Sequence, residues 1–151
     1  MAKYLTSADQ NVALNGIIPF DIVSIPCNKG CVVPLATGVL TLRGGNANCF
    51  ARYQVDLQAN VSIPTGGAVT PIAVAVTVNG APIPDSVAIV TPAAAEEVWH
   101  VNTSATITVP RGCCVSVSAA YVDGTEDDAA VVPTPSITVR RLASLTVTRI
   151  A

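Results

Sequence analysis

The chain has 151 residues, of which half are hydrophobic, only 4% aromatic and only 12% charged, with a formal net charge of −2. That length supports one domain with a real core. The charge balance gives no electrostatic case for nucleic acid, and no apolar run approaches the roughly 18 residues of a membrane helix.

The charge content is low beside the ~25% of ordinary soluble domains. A monomer of this mass exposes roughly 7,000 Å² by the usual scaling, and eighteen charges cover that thinly. The surface is therefore rich in Ser, Thr, Asn and Gln, or buried against other copies; burial is the favoured reading, because large apolar patches mark interfaces. Val, Ala, Thr and Ile carry the apolar load, which is a strand composition. No secretory signal pattern stands at the start of the sequence, so synthesis in a cytoplasm is expected.

Residues 1–10 are polar and lack a strand pattern, so they read as an arm, either loose or docking. Asn11 to Ile25 predicts a short strand, a turn at Asn15-Gly16 and a second strand that Pro19 confines to an edge. Pro26 to Cys31 is a turn, Val32 to Leu35 a short strand, and Val39 to Arg43 another. Cys49 to Ile63 is the cleanest alternation in the chain. Cys49, Ala51, Tyr53, Val55, Leu57, Ala59, Val61 and Ile63 form one face, with Phe50, Arg52, Gln54, Asp56, Gln58, Asn60 and Ser62 on the other. That is a half-buried antiparallel strand.

Ile72 to Val90 predicts the central hairpin, turning at Asn79-Gly80, the pair that a type I′ turn prefers. Ile72, Val74, Val76 and Val78 make a bulky face for the core; Ala73, Ala75 and Thr77 make a small face that suits close approach of another backbone. Pro82 and Pro84 delay the return strand to Val87–Thr91. Glu96 to Val109 is a long strand whose core face is Glu97, Trp99, Val101, Thr103, Ala105, Ile107 and Val109. Pro110-Arg111-Gly112 turns the chain into Cys113–Val122, Asp123 to Asp128 is an acidic loop, and Val131-Val132, Ser136–Leu142 and Ser144–Ile150 close it. Roughly eight to ten strands with turns every eight to twelve residues predict an all-β antiparallel sandwich, and the length favours a jelly roll.

The five cysteines, Cys27, Cys31, Cys49, Cys113 and Cys114, leave three readings open: buried small hydrophobes, disulfides within or between subunits, or a metal site. His100 is the only histidine, and no motif ties it to a nucleophile. Asp123–Asp128 lacks the spacing of a calcium loop and reads as a solvated turn. Arg140, Arg141 and Arg149 are expected to make ion pairs or interface hydrogen bonds. No catalytic residue, cofactor site or metal site is expected, and the chain does not read as an enzyme.

The segments NVALNGIIPF, CFARYQV, AIVTPA and VPRGCCVSV, in that order, resemble a group of small proteins encoded by Firmicutes and their phages. More distantly they resemble the TNF/C1q-like jelly roll that caps collagen-like spore-surface glycoproteins. The resemblance covers residues 11–151; the chain has no collagen-like stalk and few aromatics. It implies a homotrimer of side-by-side jelly rolls. A protein of this size with a short arm suits a virion decoration or head-fibre protein, bound to the major capsid protein or another virion protein at the particle surface. Lys3, Tyr4 and Leu5 are then the expected anchoring residues. The alternative is a carbohydrate- or host-binding knob, for which Trp99, Tyr53 and Tyr121 are the candidate platforms.

Overall fold

The computed structural model describes residues 1–26, 32–36, 38–44, 49–112, 114–123 and 133–151. These form thirteen strands and one short 3-10 turn. In chain order the strands are β1 (Ala2–Leu5), β2 (Gln10–Ala13), β3 (Ile22–Ile25), β4 (Val32–Ala36), β5 (Val39–Arg43), β6 (Phe50–Ser62) and β7 (Ile72–Val78). They continue as β8 (Ala81–Pro82), β9 (Ala88–Val90), β10 (Trp99–Pro110), β11 (Cys114–Val122), β12 (Ser136–Val139) and β13 (Ser144–Arg149), with the 3-10 turn at Pro84–Ser86.

Two antiparallel sheets face each other. In the first, β6 is the spine: β10 pairs along one side of it, and β13 then β12 share the other, with β1 and β3 beyond β13 and β2 beyond β12. In the second, the order is β4-β5-β11-β7, with β8 and β9 both on the far side of β7. The strand count exceeds the expected range because short edge pieces, such as β8 and β9, pair separately.

Alternation explains the core. From β6, Ala51, Tyr53, Val55, Leu57 and Val61 are fully buried between the sheets, and Ile72, Val74 and Val76 of β7 meet them from the other side. Asn79 and Gly80 have φ of 51° and 85°, as a type I′ turn requires. The Asn79 amide donates to the Ser116 carbonyl at 2.8 Å, and the Asn79 side-chain oxygen accepts from the Ser116 amide at 3.1 Å. The small face of β7 is also buried: Ala73 and Ala75 pack with Ala120, Val122 and Val87 in a second cluster.

Pro19 stands where the chain changes sheets. Ile17 bridges to Ala120 in the second sheet, Ile18 is fully buried, and after Asp21 the chain joins the first sheet as the edge strand β3. A residue without an amide hydrogen fits this crossover, where no ladder partner is needed.

Residues 1–10 are not a free arm. β1 lies between β13 and β3, with Ala2, Tyr4 and Thr6 buried and Lys3 and Leu5 half-exposed on the outer face. Its period-2 pattern is short, and its inward residues include small Ala2 and polar Thr6, so the alternation is faint in sequence.

Candidate functional site

The outer face of the first sheet is a broad polar surface set by strand register. Cross-strand pairing places Asn60 beside His100, Gln58 beside Asn102 and Ser144, Asp56 beside Ser104 and Thr146, and Gln54 beside Thr106 and Thr148. Lys3 and Leu5 extend the same rows through Thr146 and Ser144. Paired residues share a face, so these side chains, apart from the buried Ser144, form one broad surface of amides and hydroxyls with few charges. Two contacts tie it together: Gln54 Nε2 donates to Asp56 Oδ1 at 3.2 Å, and His100 Nδ1 lies 3.1 Å from Asn60 Oδ1. The accessible surface of the subunit is 7555 Å². On this face the thin charge is made up by Ser, Thr, Asn and Gln, which is the reading that the composition alone did not favour.

β10 borders this face as an edge. Among the described residues its only strand partner is β6, over an unbroken register from Trp99↔Val61 to Pro110↔Phe50. Twelve residues carry no Lys, Arg, Asp or Glu. Edge strands usually carry charges or bulges that discourage pairing with another chain. This one has neither, and its only proline is at its end.

Several expected site residues take other places. Tyr53 and Tyr121 are fully buried. Tyr53 donates its hydroxyl to the Arg43 carbonyl at 2.5 Å, and Tyr121 donates to the Thr134 carbonyl at 2.8 Å. Neither can stack on a sugar ring. Trp99, placed on the core face by its alternation, is 41% exposed as the first residue of β10, although its cross-strand partner Val61 is fully buried. Its indole N–H donates to Glu97 Oε1 at 2.6 Å. Tyr4 is in the core and cannot anchor to a particle, while Lys3 and Leu5 keep part of their surface.

Cys49 and Cys114 are both exposed, so the buried-hydrophobe reading fails for these two. Cys27, Cys31 and Cys113 lie outside the described residues, as do 124–128 of the acidic loop. In native protein kept reduced, a thiol reagent is expected to modify Cys49 and Cys114 without denaturant. Replacing both by Ser should lower the native thiol count by two, and an unchanged count would contradict the exposure.

Arg140 makes the one ion pair found among the described residues, 3.2 Å from Asp9 Oδ2, while Asp9 Oδ1 accepts from the Arg141 amide at 2.8 Å. The Arg141 amide, more than the Arg140 charge, holds the Asp9 carboxyl below its ordinary range. Arg149 is not ion-paired there; its Nε donates to the Ala151 carbonyl at 3.1 Å. Among the described residues no three metal-ligating side chains come together.

No protein-family model and no curated protein matches the sequence. Solved structures do match the fold. The globular domain of zebrafish complement 1qA protein superposes with a TM-score of 0.61 at 9% identity, covering 99% of this chain and 96% of that one. The Eiger TNF from S. frugiperda superposes at 0.63 and 10% identity, covering 99% of this chain and 91% of that one. At such low identity the likeness carries the architecture alone: the chain is an all-β, TNF/C1q-like jelly roll.

Proposed function

We propose that this protein is a structural, non-enzymatic building block: a homotrimeric jelly roll that decorates a bacteriophage particle and reinforces its surface. The observation that carries the reading is the uncharged, unbulged edge of β10 beside the amide- and hydroxyl-rich face of β6. An edge of this kind gains main-chain pairs from a strand of another copy, and the polar face beside it offers side-chain hydrogen bonds to the same neighbour. Its mechanism is adhesion. The major capsid protein is the proposed partner, the virion surface the proposed site, and Lys3 and Leu5 the exposed remainder of the proposed anchor.

The assembly test is an introduced charge. Thr106 and Gln58 point outward from β10 and β6. Changing both to Arg should leave the subunit folded, since outward positions tolerate substitution. An unpaired charge in a buried interface costs about 2–5 kcal/mol, so trimer affinity should fall roughly a hundredfold. Light scattering behind size exclusion reads the mass; a variant that keeps the parental mass at low concentration would contradict the assignment of this face. The particle test is saturable binding to undecorated capsids, weakened by Lys3→Glu. Glycan binding with no capsid binding would favour the carbohydrate-binding knob.

A further inference from the structure

The few charges of this chain are sorted by end. One end of the sandwich is the Phe50 end of β6. There Arg43 closes β5 opposite Cys114, Arg111 sits in the turn between β10 and β11, and Arg149 pairs in register with Tyr53. Arg52 lies over the Phe50 ring, 4.8 Å from its centroid. All four arginines are exposed, out of eight basic residues in the whole sequence. Among the described residues no Asp or Glu shares this end: Asp56 is midway along β6, and Asp85 lies in the 3-10 turn before β9.

The opposite end is acidic. Glu96 and Glu97 precede β10, Asp123 follows β11, and Asp9 and Asp21 bracket the loops after β1 and before β3. Arg140 and Arg141 offset these only in part. Exposed apolar side chains stand at both ends: Phe50 and Ile150 at the arginine end, Val69, Val98 and Trp99 at the acidic end.

Four like charges gathered on one end repel one another and weaken the isolated subunit. Arg149 is held by the Ala151 carbonyl and Arg52 by the Phe50 ring, which leaves Arg43 and Arg111 as the guanidinium forks turned to a partner's carboxylates; an aromatic anchor within a polar rim is the usual anatomy of an interface hot spot. The surface with matching carboxylates and such an anchor is the far end of another copy. We propose that copies of this protein stack end to end, the arginine end of one seating on the acidic, Trp99-bearing end of the next. The joint is heterologous, so it propagates into a column and does not close into a pair. It meets the lateral packing proposed above at Trp99, the first residue of β10, and holds whether the stacked unit is one subunit or three.

Trp99 is the sole tryptophan, so the part of its emission that changes with salt together with the sedimenting mass reports the joint. At about 20 mM salt the sedimenting mass should rise with concentration while Trp99 emission shifts to the blue; at about 0.5 M salt, where exposed charges are screened within a few ångströms, both should revert. Arg43→Glu with Arg111→Glu should weaken growth at least tenfold with a melting temperature no lower than the parent's, since the reversal relieves like-charge repulsion. Glu96→Lys with Glu97→Lys should do the same, and mixing the two variants should restore growth. The Arg43/Arg111 variant decides the matter if the Glu97 change disturbs the Trp99 loop. A mass independent of salt and concentration overturns the proposal, and so does growth that survives the arginine reversals. Retention of a non-growing wild type on a heparin column, lost in the Arg43/Arg111 variant, overturns it in favour of an anionic polymer. The mass at high salt reports the lateral unit separately.

Discussion

Removing residues 1–6 is expected to abolish the cooperative fold, not merely to release the protein from a surface. β1 is paired on both sides, Ala2 to Leu5 against Val147 to Ser144 and again against β3. Its deletion strands both neighbours. β3 loses its only partner among the described strands, and β13 loses one of two. Thr6 goes with it, and with Thr6 go the bonds from its amide to the Ala143 carbonyl (3.1 Å), from the Leu142 amide to its carbonyl (2.9 Å) and from the Ala143 amide to its hydroxyl (3.1 Å). Each orphaned buried group costs about 1–3 kcal/mol. Tyr4 adds a large core side chain, and truncating such a residue alone costs about 3–5 kcal/mol. Against a total stability of about 5–15 kcal/mol, the sum leaves little. Chemical denaturation should show Tyr4→Ala shifted by that single-residue amount, Lys3→Ala nearly unchanged, and the six-residue deletion without a cooperative transition. A deletion that melts cooperatively like the parent would show that β1 is an accessory to the fold.

The contrast between β1 and β6 shows what can be read from such a chain. β6 alternates over thirteen residues with Val, Leu and Tyr on one side and Gln, Asn and Arg on the other, so its two faces are plain in the sequence. β1 is four residues long, and its partner Val147 is at the other end of the chain. A local pattern that short carries little signal, and the pairing that makes it a strand is non-local. The Asn79-Gly80 turn was legible because its chemistry is local. Trp99 keeps the parity of Val101 and stands opposite buried Val61, yet it is exposed; parity assigns a face and does not tell how much of a large side chain at a strand's first residue the facing sheet covers. The same limit hides the sorted arginines. Arg43, Arg111 and Arg149 are far apart in sequence, and only the return of β5, β10 and β13 to one end brings them together. The amide- and hydroxyl-rich face was within reach, since Gln54, Gln58 and Asn60 alternate on β6; the register with β10 turns that stripe into a surface.

Alkaline pH is expected to unfold the protein through its tyrosines. All three, Tyr4, Tyr53 and Tyr121, are buried, and burial raises each of them above the ordinary value of 10 by disfavouring the phenolate. Tyr121 is pushed up to about 12, chiefly by burial and secondarily by the Asp123 carboxylate. For Tyr53 the Arg149 charge pulls the other way without reversing the shift. The linkage has a definite sign. Below about pH 10 every tyrosine is protonated whether the chain is folded or not, and the stability is fully present. Between about 10 and 12 the unfolded chain sheds phenolic protons that the folded chain retains, so it binds fewer protons and stability falls as pH rises. Ionisation followed by near-ultraviolet absorbance should therefore lag behind that of the urea-unfolded protein and then rise steeply, together with loss of the sheet signal in circular dichroism. Tyr121→Phe removes the most shifted group but leaves the Thr134 carbonyl without its donor. It should lower stability at neutral pH by about 1–3 kcal/mol and make the alkaline fall shallower. Gradual titration of all three tyrosines near pH 10 in folded protein would mean that these phenols reach solvent, and the two sheets would then not close over them.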